Sequence, residues 1–266
     1  MSTSSPIPEG VRRIFTEGFR VGDIAEPLVS FDEATSADAV AKLMDEAGFD
    51  AVGVRRRGRV VGYFEKSANG TSLSAESIRA FDWSMVIPES ASLLRVVRGL
   101  EAQPRVFVTA FGEVSGIVTR EDLEKPAVRM WLFGVVTMVE MRYTKLIAES
   151  CPGESWREYL SDGRLAKAES LLAERQRRQQ SLTLLDCLQL SDKGQIVARN
   201  ERIRVQTIFR SRNQAEEAIK LLESLRNNLA HAQEIVSPNW EAIVRLAQHL
   251  DDVLNADQPA QTKMPQ

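Results

Sequence analysis

A stretch of the first half recurs without a gap 54 residues later, and this duplication limits the chain more than any other feature. Gly58 and Gly62 reappear as Gly112 and Gly116; Ser36, Val52, Val54 and Val60 reappear as Ser90, Val106, Val108 and Val114. A repeat of about this length is one supersecondary unit, too small to bury a core by itself, so two copies are expected to pack face to face around a pseudo-twofold axis. Each copy reads in the same order. In the first, Ser36 caps a helix over Ala37–Ala47, Asp50–Val54 alternates as a strand, the chain turns at Gly58, and Arg59–Tyr63 returns. In the second, Ser90 precedes a helix over Leu93–Leu100, followed by strands at Arg105–Thr109 and Val114–Val118 with a turn at Gly112.

The period changes after residue 126. Trp131, Val135, Val139 and Leu146 mark one face of a long helix, with Leu132, Val136, Tyr143 and Ile147 beside it, ended by Cys151-Pro-Gly. Leu182, Leu185, Leu188 and Leu190 mark a buried segment before Ser191-Asp-Lys-Gly. Ala215–Ile235 reads as one helix through Ile219, Leu222, Leu225 and Leu229, and Ser237-Pro238 as the start of another. No strand pattern occurs in this half. The fold class is therefore α+β, a tandem α/β repeat followed by an all-α bundle. The expected division is an N-terminal segment 1–20, the repeat pair 21–126, a helical domain 127–256 and a disordered tail 257–266.

Charge and cysteines narrow the function classes. Residues 1–126 carry 15 basic against 19 acidic side chains, and the rest 19 against 18, so neither half is a polyanion binder by net charge. Cys151 and Cys187 show no metal-like spacing and suit a reducing compartment. The N-terminus lacks the basic and apolar regions of a signal peptide, and the apolar run Trp131–Val139 is too short to span a bilayer, so a cytoplasmic chain with no membrane partner is expected. No Walker loop, dinucleotide glycine fingerprint, nucleophile elbow or metal-binding histidine pair is present.

The helix–strand–turn–strand order and the run Gly116-Ile-Val-Thr-Arg-Glu-Asp122-Leu resemble the CBS-domain pair, or Bateman module, over residues 21–126. The resemblance implies AMP, ADP or ATP as a regulatory ligand, held through Gly116, Thr119 and Asp122. A carboxylate can accept from both vicinal hydroxyls of a ribose, and a hydroxyl at a helix start lies where backbone N–H groups favour phosphate. Thr119-x-x-Asp122 is equally a capping box, which needs no ligand, with Pro126 closing the short helix. The first copy departs from the pattern, with Glu65 in place of Thr119 and Ala68 in place of Asp122, so a single-sited module is expected. Arg55, Arg56, Arg57 and Arg59 crowd the first hairpin and read as a solvated turn that discourages edge pairing, or as a phosphate or RNA contact.

In the second half, Arg226-Asn227-Asn228-Leu229-Ala230-His231 resembles the Arg-x4-His signature of the HEPN superfamily, over residues 127–256. That resemblance implies a metal-independent ribonuclease needing no cofactor for catalysis, its site completed across a homodimer. His231 would exchange the proton of a ribose hydroxyl, and Arg226 would stabilise the charge on phosphorus. Asn227 and His231, four apart, are expected on one helix face after Glu223. Some members of the family bind without cleaving, so a regulatory protein whose bundle docks RNA or another protein stays open beside the ribonuclease. Arg199, Arg202, Arg204, Arg210 and Arg212 are the densest basic run, either an RNA track or a solvated face, and His249 reads as a surface residue.

Overall fold

The computed structural model describes residues 9–65, 78–231 and 233–255, and no side chain beyond 248. Ala68, the side chain of His249 and the expected tail 257–266 therefore lie outside what is described. The chain divides into two compact units, Phe19–Val128 and a helical unit formed by residues 9–18 with 129–255.

Helix α1 (Glu9–Glu17) belongs to the helical unit. The α/β unit then runs β1 (Glu26–Pro27), β2 (Ser30–Asp32), α2 (Ala37–Ala47), β3 (Ala51–Arg56) and β4 (Arg59–Glu65), followed by β5 (Val86–Pro88), α3 (Leu93–Ala102), β6 (Arg105–Ala110) and β7 (Glu113–Thr119). The hairpins β3–β4 and β6–β7 are displaced by 54 residues at every boundary. Both carry a bulge at the matching step, Val54/Arg55 and Val108/Thr109. Both turn through two residues at positive φ, Arg57 and Gly58 in one, Phe111 and Gly112 in the other. This is the backbone of a type I′ turn, whose twist matches that of the flanking strands.

The strands form two sheets, β2–β3–β4 and β1–β7–β6–β5, with the leading strand of each copy parallel to its hairpin. One core draws on both copies: Leu28, Ala51 and Tyr63 from the first, Met85, Val86, Phe107 and Val114 from the second. Phe107 is fully buried, 4.7 Å from the Tyr63 ring and 4.8 Å edge-on from Phe81. Under the 54-residue shift Phe107 stands where the first copy has Gly53, and Tyr63 where the second has Ile117. A side chain on Gly53 would meet Ser30, Val60 and Leu28 at 3.0–3.2 Å. The two copies thus share their interior by size exchange, a large ring from one filling the room the other leaves.

Local signals explain the helices only in part. The Ser36 hydroxyl caps α2 by accepting from the Ala39 N–H, and Gly48, left-handed at φ 70°, ends it. In the second copy Ser90 is not the cap. Helix α3 starts at Leu93 behind Ser92, and the Ser90 carbonyl accepts from Arg20 instead.

The helical unit comprises α1 with α4 (Pro126–Ser150) from Arg129 onward, α5 (Asp162–Arg177), α6 (Leu190–Arg199), the short α7 (Glu201–Arg204), α8 (Arg212–Ala230) and α9 (Val236–Asn255). Pro126 opens α4 rather than merely closing the turn before it, as proline at a first helical position can. Helix α4 is buried on both expected faces, from Trp131 to Ile147. Helix α1, which has no counterpart in the sequence reading, lies against it: the Trp131 indole donates to the Phe15 carbonyl at 3.0 Å, and the Phe15 ring occupies the place a Gly134 side chain would need.

Ser191-Asp-Lys-Gly194 lies inside α6, where Gly194 lets Ile219 approach to 2.5 Å of a would-be Cβ. Its charges are paired: buried Lys193 binds Glu140 at 2.8 Å and Asp192 binds Arg164. Helix α8 stops at Ala230 instead of reaching Ile235. Helix α9 opens at Val236, one residue before the expected cap Ser237, and is kinked at buried Asn239, at non-helical φ −128°, whose amide donates to the Ile235 carbonyl and whose carbonyl oxygen accepts from Ser224.

Candidate functional site

Thr119 ends β7, and Asp122 lies in the 3-10 turn Glu121–Glu124 that follows. Both line a cavity of about 680 Å³, within the range of small-molecule sites. Its walls come from both copies: Gly48–Ala51 from the junction of α2 and β3, Glu101–Arg105 from the equivalent junction of α3 and β6, and residues 26–29 around β1. The repeat explains this convergence, because matching helix-to-strand junctions of two packed copies face one cleft.

Asp122 is 8% exposed and already engaged. One carboxylate oxygen accepts from the Thr119 N–H at 2.7 Å and the Thr119 hydroxyl at 3.2 Å; the other faces the Lys125 ammonium at 2.9 Å. Only half of the expected capping box is formed: Asp122 accepts from the Thr119 N–H, but the 3-10 turn begins behind Arg120 with no side-chain cap. A carboxylate offers about four acceptor positions. Three are occupied, so a ribose diol donating twice must displace Lys125 or the Thr119 hydroxyl. Lys125 also binds Glu26 and the Ile24 carbonyl. Burial alone would lower its pKa, but the hydrogen bonds to Glu26 and Asp122 outweigh it and hold the ammonium above its ordinary value.

Gly116 does not line the cavity. It lies within the sheet between β1 and β6, where a side chain would come within 3.2 Å of Val108 and 3.3 Å of the Glu26 carbonyl. Close strand packing accounts for it.

Arg105 is the residue that the sequence reading passed over. It is opposite Thr119 in the β6–β7 register, lines the cavity, and is 7% exposed. Its guanidinium donates to Glu65 at 2.5 Å, and Glu65 also binds Arg79. The glutamate that replaces threonine in the first copy is thus the counter-ion of a buried arginine from the second. The signal was present in the repeat: the 54-residue shift sets Arg105 against Ala51, a charge entering an apolar strand position. Three of the hairpin arginines are paired, Arg55 with Asp32 at 3.4 Å, Arg56 with Glu33 at 2.6 Å and Arg59 with Glu113 at 3.3 Å.

In the helical unit, Arg226 and Asn227 are exposed on the last turn of α8 and line a cavity of about 400 Å³ with Glu140, Asp186, Cys187 and Glu223. The Arg226 guanidinium donates to the Asn227 side-chain oxygen at 3.3 Å. His231 is exposed too, but it is the residue after the helix, at φ −102°, and is not among those lining this cavity. Asn227 and His231 therefore do not share a helix face; only the His231 backbone N–H returns to the Asn227 carbonyl, at 3.1 Å. Among the basic run, Arg199 donates to the Tyr159 carbonyl, Arg204 to that of Ala198, and Arg212 pairs with Glu216.

Cys151 and Cys187 are free and buried, and burial is the main cause that raises both thiol pKa values. Among the described residues no His, Cys, Asp and Glu group is arranged to hold a metal, and no helix is long and apolar enough to cross a membrane.

No family model matches the chain. No curated protein matches it either. Solved structures similar to part of it include the CBS-pair protein CBSX2 from Arabidopsis thaliana, at 22% identity over 42% of this chain and 96% of that one, TM-score 0.36. CBSX2 in complex with AMP matches at 20% identity over 42% and 98%, TM-score 0.35. The CBS domain of a bacterial CNNM/CorC family Mg2+ transporter in complex with ATP matches at 18% identity over 44% and 92%, TM-score 0.35. At these scores the likeness carries no argument about ligand or activity.

Proposed function

We propose that the α/β unit is a sensor for an adenosine nucleotide and that the helical unit is a non-catalytic reader that docks a partner protein. The observation that supports the sensor is the cavity in which Thr119 and Asp122 meet walls from both copies. Asp122, held by Thr119 on one side and Lys125 on the other, is a charged acceptor whose ammonium partner a ribose hydroxyl can replace. Helix α4 starts four residues after Asp122, and its residues from Arg129 onward belong to the helical unit. A ligand that shifts the turn before Pro126 would bias the reader by a coupling of about 1–3 kcal/mol, a usual magnitude. A protein partner is favoured over RNA because Arg199, Arg204 and Arg212 of the basic run are already engaged within the chain.

Equilibrium dialysis of labelled AMP against the full chain tests the sensor. Asp122→Asn and Thr119→Val are expected to weaken binding at least tenfold; unchanged affinity in both would remove the assignment.

The exposure of Arg226, Asn227 and His231 sustains a second reading, RNA cleavage across a homodimer. It requires another copy to complete the site, because Arg226 and Asn227 line a cavity that His231 does not reach. Incubation with RNA in EDTA separates the two: a cyclic-phosphate product lost in His231→Ala supports cleavage, and intact RNA supports the reader.

A further inference from the structure

Among the described residues that line the α/β cavity, acids outnumber bases. Glu26, Asp50, Glu101, Glu121 and Asp122 are set against Arg105 and Arg120 only. Neither guanidinium is available in full. Arg120 donates to the Leu100 carbonyl at 3.0 and 3.3 Å, and Arg105 is neutralised by Glu65. Glu26 and Asp122 share Lys125. Asp50, Glu101 and Glu121 are exposed and have no basic partner among the described residues. A phosphate placed beside Thr119 is opposite Arg105 in the strand register, and so next to the carboxylate that already holds that arginine. One anionic group can share Arg105 there. Each further phosphoryl group enters a negative field with no unpaired cation to receive it.

We infer that this cavity selects adenine ligands by their low charge, taking adenosine or its monophosphate in preference to the di- and triphosphate. Glu65, Glu101 and Glu121 are the residues that exclude the longer phosphate chains. The inference rests on the nucleotide reading of the cavity. Like charges a few ångströms apart repel by an amount that falls with screening, so the discrimination weakens as salt rises.

Calorimetric titration of the full chain with adenosine, AMP, ADP and ATP, each in EDTA at 0.05 and 0.5 M salt, tests it. The expected result is AMP at least about tenfold tighter than ATP at the lower salt, with the gap narrowing at the higher. Glu101→Gln with Glu121→Gln, both exposed, is expected to raise ATP affinity about three- to tenfold while moving AMP less. Glu65→Gln, which frees Arg105, is expected to act in the same direction; if it fails to fold, the exposed pair decides. ATP binding as tightly as AMP, or no change in the exposed double variant, overturns the selectivity while leaving the nucleotide reading intact. Absence of binding by all four ligands overturns both.

Discussion

Replacing Glu65 by glutamine should show how strongly the two repeats depend on one another. The side chain of Arg105 is 8% exposed and that of Glu65 22%, so the pair lies mostly out of water. The accompanying bond from Arg79, 62% exposed, belongs to the class of surface pairs worth under about 1 kcal/mol. Removing one partner of a buried pair commonly costs about 3–5 kcal/mol, because the other charge is left without compensation. Glutamine keeps one acceptor oxygen and Glu65 retains some solvent, which places the expected loss at about 2–3 kcal/mol. For a unit of this size each kcal/mol shifts the midpoint by about 4–8 °C, so the Tm should fall by roughly 8–24 °C. Differential scanning calorimetry of the full chain would read it. Glu65→Leu with Arg105→Met, which removes both charges and retains apolar bulk, should recover most of the loss. A Tm within about 2 °C of the parent in Glu65→Gln would refute the idea that this pair joins the copies.

Other consequences are open to measurement. Gly112 has φ 83° at the β6–β7 turn, so Gly112→Ala should cost about 1 kcal/mol or more in urea unfolding, and an unaltered midpoint would contradict the turn. The Lys125 ammonium is held above its usual pKa, so its contribution is complete below the unfolded value and is lost as pH rises through the folded one. Stability should therefore decline above about pH 10.5, and that part of the decline should vanish in Lys125→Met; an identical alkaline profile would exclude it. Cys151 and Cys187, buried with raised pKa values, should react with a thiol reagent at pH 7.5 only as the chain unfolds, and prompt labelling of either would show the burial to be wrong.

The gapless duplication transmitted the hairpins with their turns and bulges, because each is fixed by residues inside the repeat. The pieces that flank it were harder to see. Strands β1, β2 and β5 have two or three residues each, too few to show alternation, and their partners are supplied by the sheets. Helix α1 is held by Trp131 and Gly134, more than a hundred residues away, so no local pattern announces it. The apolar stripe from Ile219 to Leu229 carries no stop signal of its own at the end of α8. The chain turns after Ala230, where the Gln233 N–H returns to the Asn228 carbonyl. One motif brought Thr119 and Asp122 forward as candidates, and the structure places both on one cavity wall. Arg105 left a signal only in its departure from Ala51 of the first copy, and Lys125 left none, because their ion partners Glu65 and Glu26 are 40 and 99 residues away.

A single purine-ribose site per chain, centred on Asp122, is the claim on which the rest depends. Calorimetric titration of AMP into the full-length protein in EDTA measures it directly through the stoichiometry. The expectation is one AMP bound per chain, with binding weakened at least tenfold by Asp122→Ala. Two equivalent sites per chain, or an Asp122→Ala protein that binds AMP as the parent does, would contradict it.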